Sequence, residues 1–218
     1  MRAAFHEDLE AVFTDLADIC DSVEQAVAIA TTALLQADAG LAEQVISGDA
    51  RIDAAREAVE ERCFELLTLQ APVAGDLRVV VAALRMVSDL ERMGDLSVHV
   101  AKIARLRVPN IAVPEGARAT ISRMAEVAEA MVTRTARIIR GRDVTEASAL
   151  AIDDEEMDRL RRSNFAEMLG DEWSYGIEAA VDIALLGRYY ERIADHAVSV
   201  ANRVVYVVTG EKPHLADA

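Results

Sequence analysis

DLERMGDLSVHVA at residues 89–101 returns one hundred positions later as YYERIADHAVSVA at 189–201. Glu91, Arg92, Asp95, Val98, Val100 and Ala101 meet Glu191, Arg192, Asp195, Val198, Val200 and Ala201. The chain is an internal duplication. A charged Glu-Arg-x-x-Asp element is kept inside the matched apolar scaffold, so whatever the chain does is expected to be done twice, on two copies of one helix.

Outward from that helix, the apolar residues keep helical spacing. Phe5, Leu9, Phe13, Leu16, Cys20, Val23, Val27, Ala30 and Leu34 recur every three or four residues and predict a long amphipathic helix that stops near Gly40. A second run, with Val45, Ile52, Val59, Cys63 and Leu66 on one side, covers about 41–69 and leaves open a break near Gly48. A third follows Pro72 and Gly75 and reaches about Val108. After VPNIAVP at 108–114, whose two prolines mark a linker, the pattern restarts with helices expected at about 115–140, 144–170 and 175–209. Thr145-Glu146-Ala147 supplies a capped start for the fifth. The earlier helices align at an offset of 105, where Asp38, Asp49 and Asp53 meet Asp143, Asp154 and Asp158. A loop five residues shorter in the second half would reconcile this with the 100-residue offset of the last helix.

The expected fold is all-α: two tandem, pseudo-symmetric three-helix bundles built from six long helices, with the halves packed through their longest helices. The expected organisation is a first repeat at 1–107, a linker at 108–114, a second repeat at 115–210 and a tail at 211–218. Helical solenoids do not fit two copies of about 105 residues.

Composition agrees with long helices, since aromatics are 4% and only 10 Gly and 4 Pro punctuate 218 residues. A net charge of −15 argues against a nucleic-acid grip, which needs a concentrated basic surface. It suits cations, although most of these carboxylates serve solubility. Cys20 and Cys63 form neither a disulfide framework nor a zinc site, and a reducing compartment is expected. MRAAFHEDLEAVF at 1–13 lacks the apolar run of a signal peptide. The longest weakly apolar runs, 26–35 and 204–210, fall short of the roughly 20 residues that span a bilayer. Contact with a membrane is therefore expected only through partners.

Four acidic pairs stand four residues apart: Asp49 with Asp53, Glu91 with Asp95, Asp154 with Asp158, and Glu191 with Asp195. Such residues share a helix face about 6 Å apart along the axis, so they can converge on one cation or bridge two. With Leu84 as reference, Leu77, Val80, Val81, Val87 and Val98 fall within roughly 60°, and so do Glu91 and Asp95, which places the acids on the core stripe. A carboxylate pair beside a core costs several kcal/mol unless it is paired or metal-bound. Asp49 and Asp53 fall at the edge of their stripe, and the sixth helix is apolar on nearly every side. Ordinary ion pairing with Arg85, Arg92, Arg188 and Arg192 is the competing reading, and four pairs at duplicated positions favour a site. Two helices per repeat could offer four carboxylates, a hard oxygen-rich set suited to Mg²⁺, Mn²⁺, Ca²⁺ or iron.

His99 lies one turn beyond Asp95, but Ser199 is its counterpart, which suits a surface or interface histidine. His196 points elsewhere on its helix, and His6 and His214 lie near the termini. There is no Glu-x-x-His motif, Gly-rich phosphate loop, HExxH element or nucleophile with a base beside it, so no enzyme is expected.

Over nearly its whole length the chain resembles the PhoU family of bacterial phosphate-signalling regulators. The resemblance is carried by LQAPVAGDLRVVVAALRMVSDLERMGD at 69–95, by GRYYERIADHAVSVANRVVYVVTG at 187–210, and by Asp49-x-x-Ile52-Asp53 and Asp154-x-x-Met157-Asp158. It implies two three-helix bundles in a cytoplasmic, often dimeric, non-enzymatic negative regulator. Its implied partners are the phosphate importer's ATPase and the phosphate-sensing histidine kinase. It further implies a divalent or trivalent metal (Mg, Mn, Fe, Zn or Ca) at Asp49, Asp53, Glu91, Asp95, Asp154, Asp158, Glu191 and Asp195. A metal-dependent carboxylate-bundle enzyme and an accessory regulator of another phosphate transporter are the alternatives.

Overall fold

The structure is a computed structural model and describes residues 2–211. Residues 212–218 of the expected tail, with His214, lie outside the described residues. Six helices follow in order: α1 (Arg2–Gln36), α2 (Ala39–Gln70), α3 (Ala74–Arg107), α4 (Glu115–Gly141), α5 (Val144–Met168) and α6 (Gly176–Thr209).

α1, α2 and α3 pack on one another, as do α4, α5 and α6. The halves meet along α3 against α6 and along α1 against α4. The meeting helices are thus not simply the longest, because α4 has 27 residues whereas α2, at 32, stays outside. The result is a four-helix centre of α1, α3, α6 and α4, with α2 and α5 each laid on the outside of its own half. Both inter-half pairs are antiparallel. Arg78 reaches the carbonyl of Val207, Asp89 meets His196 and Arg107 meets Asp182 along one seam, while Arg118 reaches Leu35 and Arg140 meets Asp21 along the other.

The duplication is visible in burial. α2 buries Ala42, Val45, Ile52 and Val59 in one stripe, and α5 buries Ala147, Leu150, Met157 and Asn164, each 105 residues later. The stripe is narrow because each outer helix has neighbours on one side only. Asp38 and Asp143, also 105 apart, cap these helices, their carboxylates accepting from Leu41 N and Glu146 N at 2.9 Å. Asp143, and not the Thr145 segment, therefore starts α5.

Two further expectations are corrected. α2 runs unbroken through Gly48, whose helical cost of about 1 kcal/mol is offset where Val45 and Ile52 are buried on either side. The shortening of the second half lies in a helix: α5 has 25 residues against 32 in α2, while the α5–α6 connection (169–175) is longer than the α2–α3 connection (71–73). The inter-half linker is held down by buried Ala112 and Val113.

Candidate functional site

α3 must satisfy three neighbours, α1, α2 and α6, and its buried stripe is correspondingly broad. Ala83, Leu90, Gly94 and Ala101 lie near the centre of that stripe, roughly 100° from Leu84 around the helix. Leu84 is only half-buried, while Leu77 and Val81 are 41% and 39% exposed. Glu91 and Asp95 are therefore at the stripe's edge, half-buried, and not on it. The Leu84 reference fails because it marks the α2 side of α3 and takes no account of the α6 side.

That edge faces α2. The helices approach closely at Gly94, where an added Cβ would lie 3.1 Å from Ile52 Cδ1 and 3.7 Å from Asp49 Oδ1. The approach sets Asp49 and Asp53 opposite Glu91 and Asp95. Burial raises the Asp49 carboxyl above its ordinary value, and Asp53 and Asp95 push it further, against Lys102 and His99. Glu91 is raised by burial and then by Asp95, with Arg92 and Arg56 opposing and Asp53 adding to the push. Mutual repulsion of this kind shows four carboxylates within one another's field. Arg92 pairs with Asp95 at 3.1 Å and more distantly with Glu91 at 3.9 Å. Beside Asp49 a cavity of about 160 Å³ opens between α1, α2 and α3, lined in part by Ser22, Gln25, Gln44 and Arg51.

The second half repeats the quartet with a different balance. Burial, then Asp195, Asp158 and Glu191, raises Asp154 to about 6. Glu191 is only 7% exposed and is clamped by Arg188 on its own helix and by Arg161 of α5 at 3.5 Å. Arg162 stands 3.9 Å from Asp158. Two of the positions that line the cavity beside Asp49, Ile29 and Gly48, are changed here. The counterparts of Ile29 and Gly48 are Arg134 and Asp153, an ion pair that also draws in Glu146 at 3.5 Å.

The structure thus brings the predicted acids together as two sets of four, one per half. Among the described residues no three Asp, Glu, His or Cys side chains are grouped ready to hold a metal ion. Among the described residues each half leaves two acids without an ion-paired guanidinium, Asp49 and Asp53 in the first and Asp154 and Asp195 in the second; a hard cation would displace Arg92 from Asp95 in the first half and both Arg188 and Arg161 from Glu191 in the second. Arg92 and Arg188 pair with the acids as the competing reading foresaw, whereas Arg192 turns to His196 at 3.4 Å. His99 stacks on Tyr189, with ring centroids 5.3 Å apart, while His196 bonds Asp89 across the seam between halves at 2.9 Å.

Arg56 and Arg161 were missed from sequence. They stand 105 residues apart, and both bear on the matched glutamates: Arg161 directly, Arg56 through its field while it bonds Glu60 at 2.7 Å. The offset that aligned Asp49 with Asp154 also carried this signal.

Residues 16–104 and 121–204 each match the PhoU domain. The chain is 46% identical to phosphate-specific transport system accessory protein PhoU homolog 2 of Mycobacterium tuberculosis over 213 residues, 98% of this chain and all of that protein. It is 35% identical to the PhoU homolog of Deinococcus radiodurans, over 97% of this chain. The crystal structure of PhoU from Pseudomonas aeruginosa superposes with a TM-score of 0.86 at 31% identity, covering 95% of this chain and all of that one. The phosphate transport system regulatory protein PhoU from Streptococcus pneumoniae gives 0.87 at 26% identity, covering 97% of this chain and all of that one. Among the described residues no helix is long and apolar enough to cross a membrane.

Proposed function

The chain belongs to the PhoU family, and from that premise we propose that it is a cytoplasmic, non-enzymatic negative regulator of phosphate uptake and of phosphate-responsive transcription. In this reading it is a homodimeric adaptor between the phosphate importer's ATPase and the phosphate-sensing histidine kinase. The observation that carries the reading is the full-length likeness to a transport-system accessory protein, through both repeats and in order. A rigid six-helix scaffold with two quasi-equivalent acidic faces is physically suited to holding two partners. The test is deletion of the gene together with a pull-down from phosphate-replete cells. Loss of phosphate repression and recovery of the importer ATPase and the kinase are expected; unchanged transcription with neither partner recovered rejects the adaptor.

Metal binding belongs to the same proposal. Asp49, Asp53, Glu91 and Asp95 would hold a hard cation in the first half, and Asp154, Asp158, Glu191 and Asp195 a weaker one in the second. The cation would relieve the mutual repulsion that raises Asp49 and Glu91. Glu91→Gln with Asp95→Asn is expected to remove at least about half of the bound metal in elemental analysis. Unchanged stoichiometry would assign the pair to ion pairing with Arg92.

A further inference from the structure

The far end of the second half carries an apolar groove that none of the acidic chemistry uses. α5 stops at Met168, and the position matching the end of α2 lies seven residues further on, at Tyr175. The first two turns of α6 are left without the cover that the last turns of α2 give to α3. Ile177 is 84% exposed and Val181 51%, against 41% and 39% for their counterparts Leu77 and Val81. Leu169, at the end of α5, is 83% exposed. Between the two helices lies an open groove of about 490 Å³ lined by Phe165, Met168, Leu169, Trp173, Ile177 and Val181 among others.

The groove is preformed. Its end wall is the 169–175 connection, in which Trp173 Nε1 donates to the Gly176 carbonyl at 3.0 Å and packs edge-on against Tyr175 at 5.1 Å. The Tyr175 hydroxyl in turn accepts from Gly116 N at 3.2 Å, tying the wall to the start of α4. Ile177, Val181 and Leu185 stand four apart and form a rail about 12 Å long, with Phe165 on the opposing helix and Leu169 just past its end. Exposed apolar rails on two antiparallel helices are the receiving half of helix-in-groove recognition.

Charge selects the occupant. Glu167, Asp171 and Glu172 surround the end wall, and cations on and beside the two helices are paired with acids: Arg107 with Glu178 and Asp182, Arg161 and Arg188 with Glu191, and Arg162 more distantly with Asp158. A second copy is disfavoured, because the matching end of the first half sets Phe64 among Glu57, Glu60, Glu61 and Glu65. An anionic bilayer is repelled by the same field and by the net charge of −15.

We propose that the α5–α6 groove binds a helical segment of a partner protein, apolar along one face and rich in Lys and Arg on its flanks. The inference rests on the adaptor reading only for the idea of a protein partner. Its test uses neither importer nor kinase, so each can fail while the other stands.

Trp173 is the single tryptophan of the chain and lines the groove, so its emission reports occupancy. The full chain is titrated with a synthetic Leu–Lys peptide of about 18 residues whose leucines repeat at helical spacing. The controls are the same composition scrambled and a Leu–Glu version. A saturable blue shift is expected with the Leu–Lys helix and binding about tenfold weaker or worse with either control. Ile177→Asp with Val181→Asp should weaken binding about tenfold, Leu77→Asp with Val81→Asp by less than about twofold. Ile177→Gln with Val181→Gln is the milder pair should the aspartates impair folding by circular dichroism. Equal binding by the groove variants, or no shift in the wild type, overturns the proposal. So does a concentration-dependent dimer in sedimentation equilibrium that Ile177→Asp/Val181→Asp dissolves, or an equal shift with phosphatidylcholine–phosphatidylglycerol vesicles.

Discussion

In the first half, Asp49 lines a cavity, neither it nor Asp53 is ion-paired to a guanidinium among the described residues, and the neighbouring helix runs on beside the start of α3. In the second half Arg134 and Asp153 form an ion pair at the positions of Ile29 and Gly48, Glu191 is held by two arginines, and the neighbouring helix stops early, leaving a groove. One helix pair has thus been kept twice while its surroundings diverged. The first copy holds its Glu91–Asp95 pair with one arginine and is the more covered at its end; the second clamps Glu191 with two and is the more open at its end. A duplicated motif marks where a site lies, and the residues filling the space around it decide what the site is free to do.

The largest expected effect concerns the seam that lets the halves differ. Arg107 bonds Asp182 through Nε at 2.6 Å and Nη2 at 3.1 Å, and Asp182 is buried. The counterparts are Val207 and Ala82, so the pair exists on one side of the pseudo-symmetry only. Arg107→Ala leaves a buried carboxylate without its partner and is expected to lower the thermal midpoint by roughly 8 °C. Arg107→Val with Asp182→Ala, which copies the opposite seam position, should recover most of the loss in the same melting experiment.

A second test breaks the packing difference. The second half sets Asn164 against Gly187, with Asn164 Nδ2 donating to the Ile183 carbonyl at 3.2 Å, where the matching positions of the first half carry the buried Val59 and Val87. A Cβ at Gly187 would lie 2.7 Å from that nitrogen. Gly187→Ala is expected to cost about 2 kcal/mol in urea denaturation. Combining Gly187→Val with Asn164→Val should bring stability back to within about 1 kcal/mol of the parent. Failure of that rescue would mean that the two halves no longer share a core geometry.

The smallest effect sharpens the electrostatic contrast. Asp154, raised to about 6, has a folded-state value above its unfolded one. Its charge therefore destabilises the fold fully above about pH 6 and not at all below the ordinary carboxylate range. In chelator, Asp154→Asn should raise the midpoint by roughly 2 °C at about pH 7, with the gain vanishing below about pH 4. A gain that persists in acid would place the benefit in packing instead of charge.

Much of this molecule was legible along the chain. Helix bounds fell within a few residues of expectation because Pro72, Gly75 and the 108–114 segment interrupt otherwise continuous three- and four-residue apolar spacing. The grouping of Asp49 with Asp53 and of Glu91 with Asp95 followed from spacing on single helices. The direction those acids faced did not, since a periodicity argument assumes one apolar stripe and α3 serves three neighbours. Arg161 on Glu191 and Arg134 on Asp153 were hidden for a related reason: each joins residues on different helices, and charges at those positions look like a solvated face until the helices are docked.

By itself, then, the sequence determined the duplication, the six helices, the family and the residues that pair within one turn, because helical periodicity and repeated motifs are properties of the chain alone. Only the tertiary structure decided that α1, α3, α4 and α6 form the centre, that Glu191 is clamped by an arginine from each of two helices, and that an early end to α5 opens a groove. Those outcomes depend on which helix shields which, and shielding arises when surfaces distant in sequence compete for the same space.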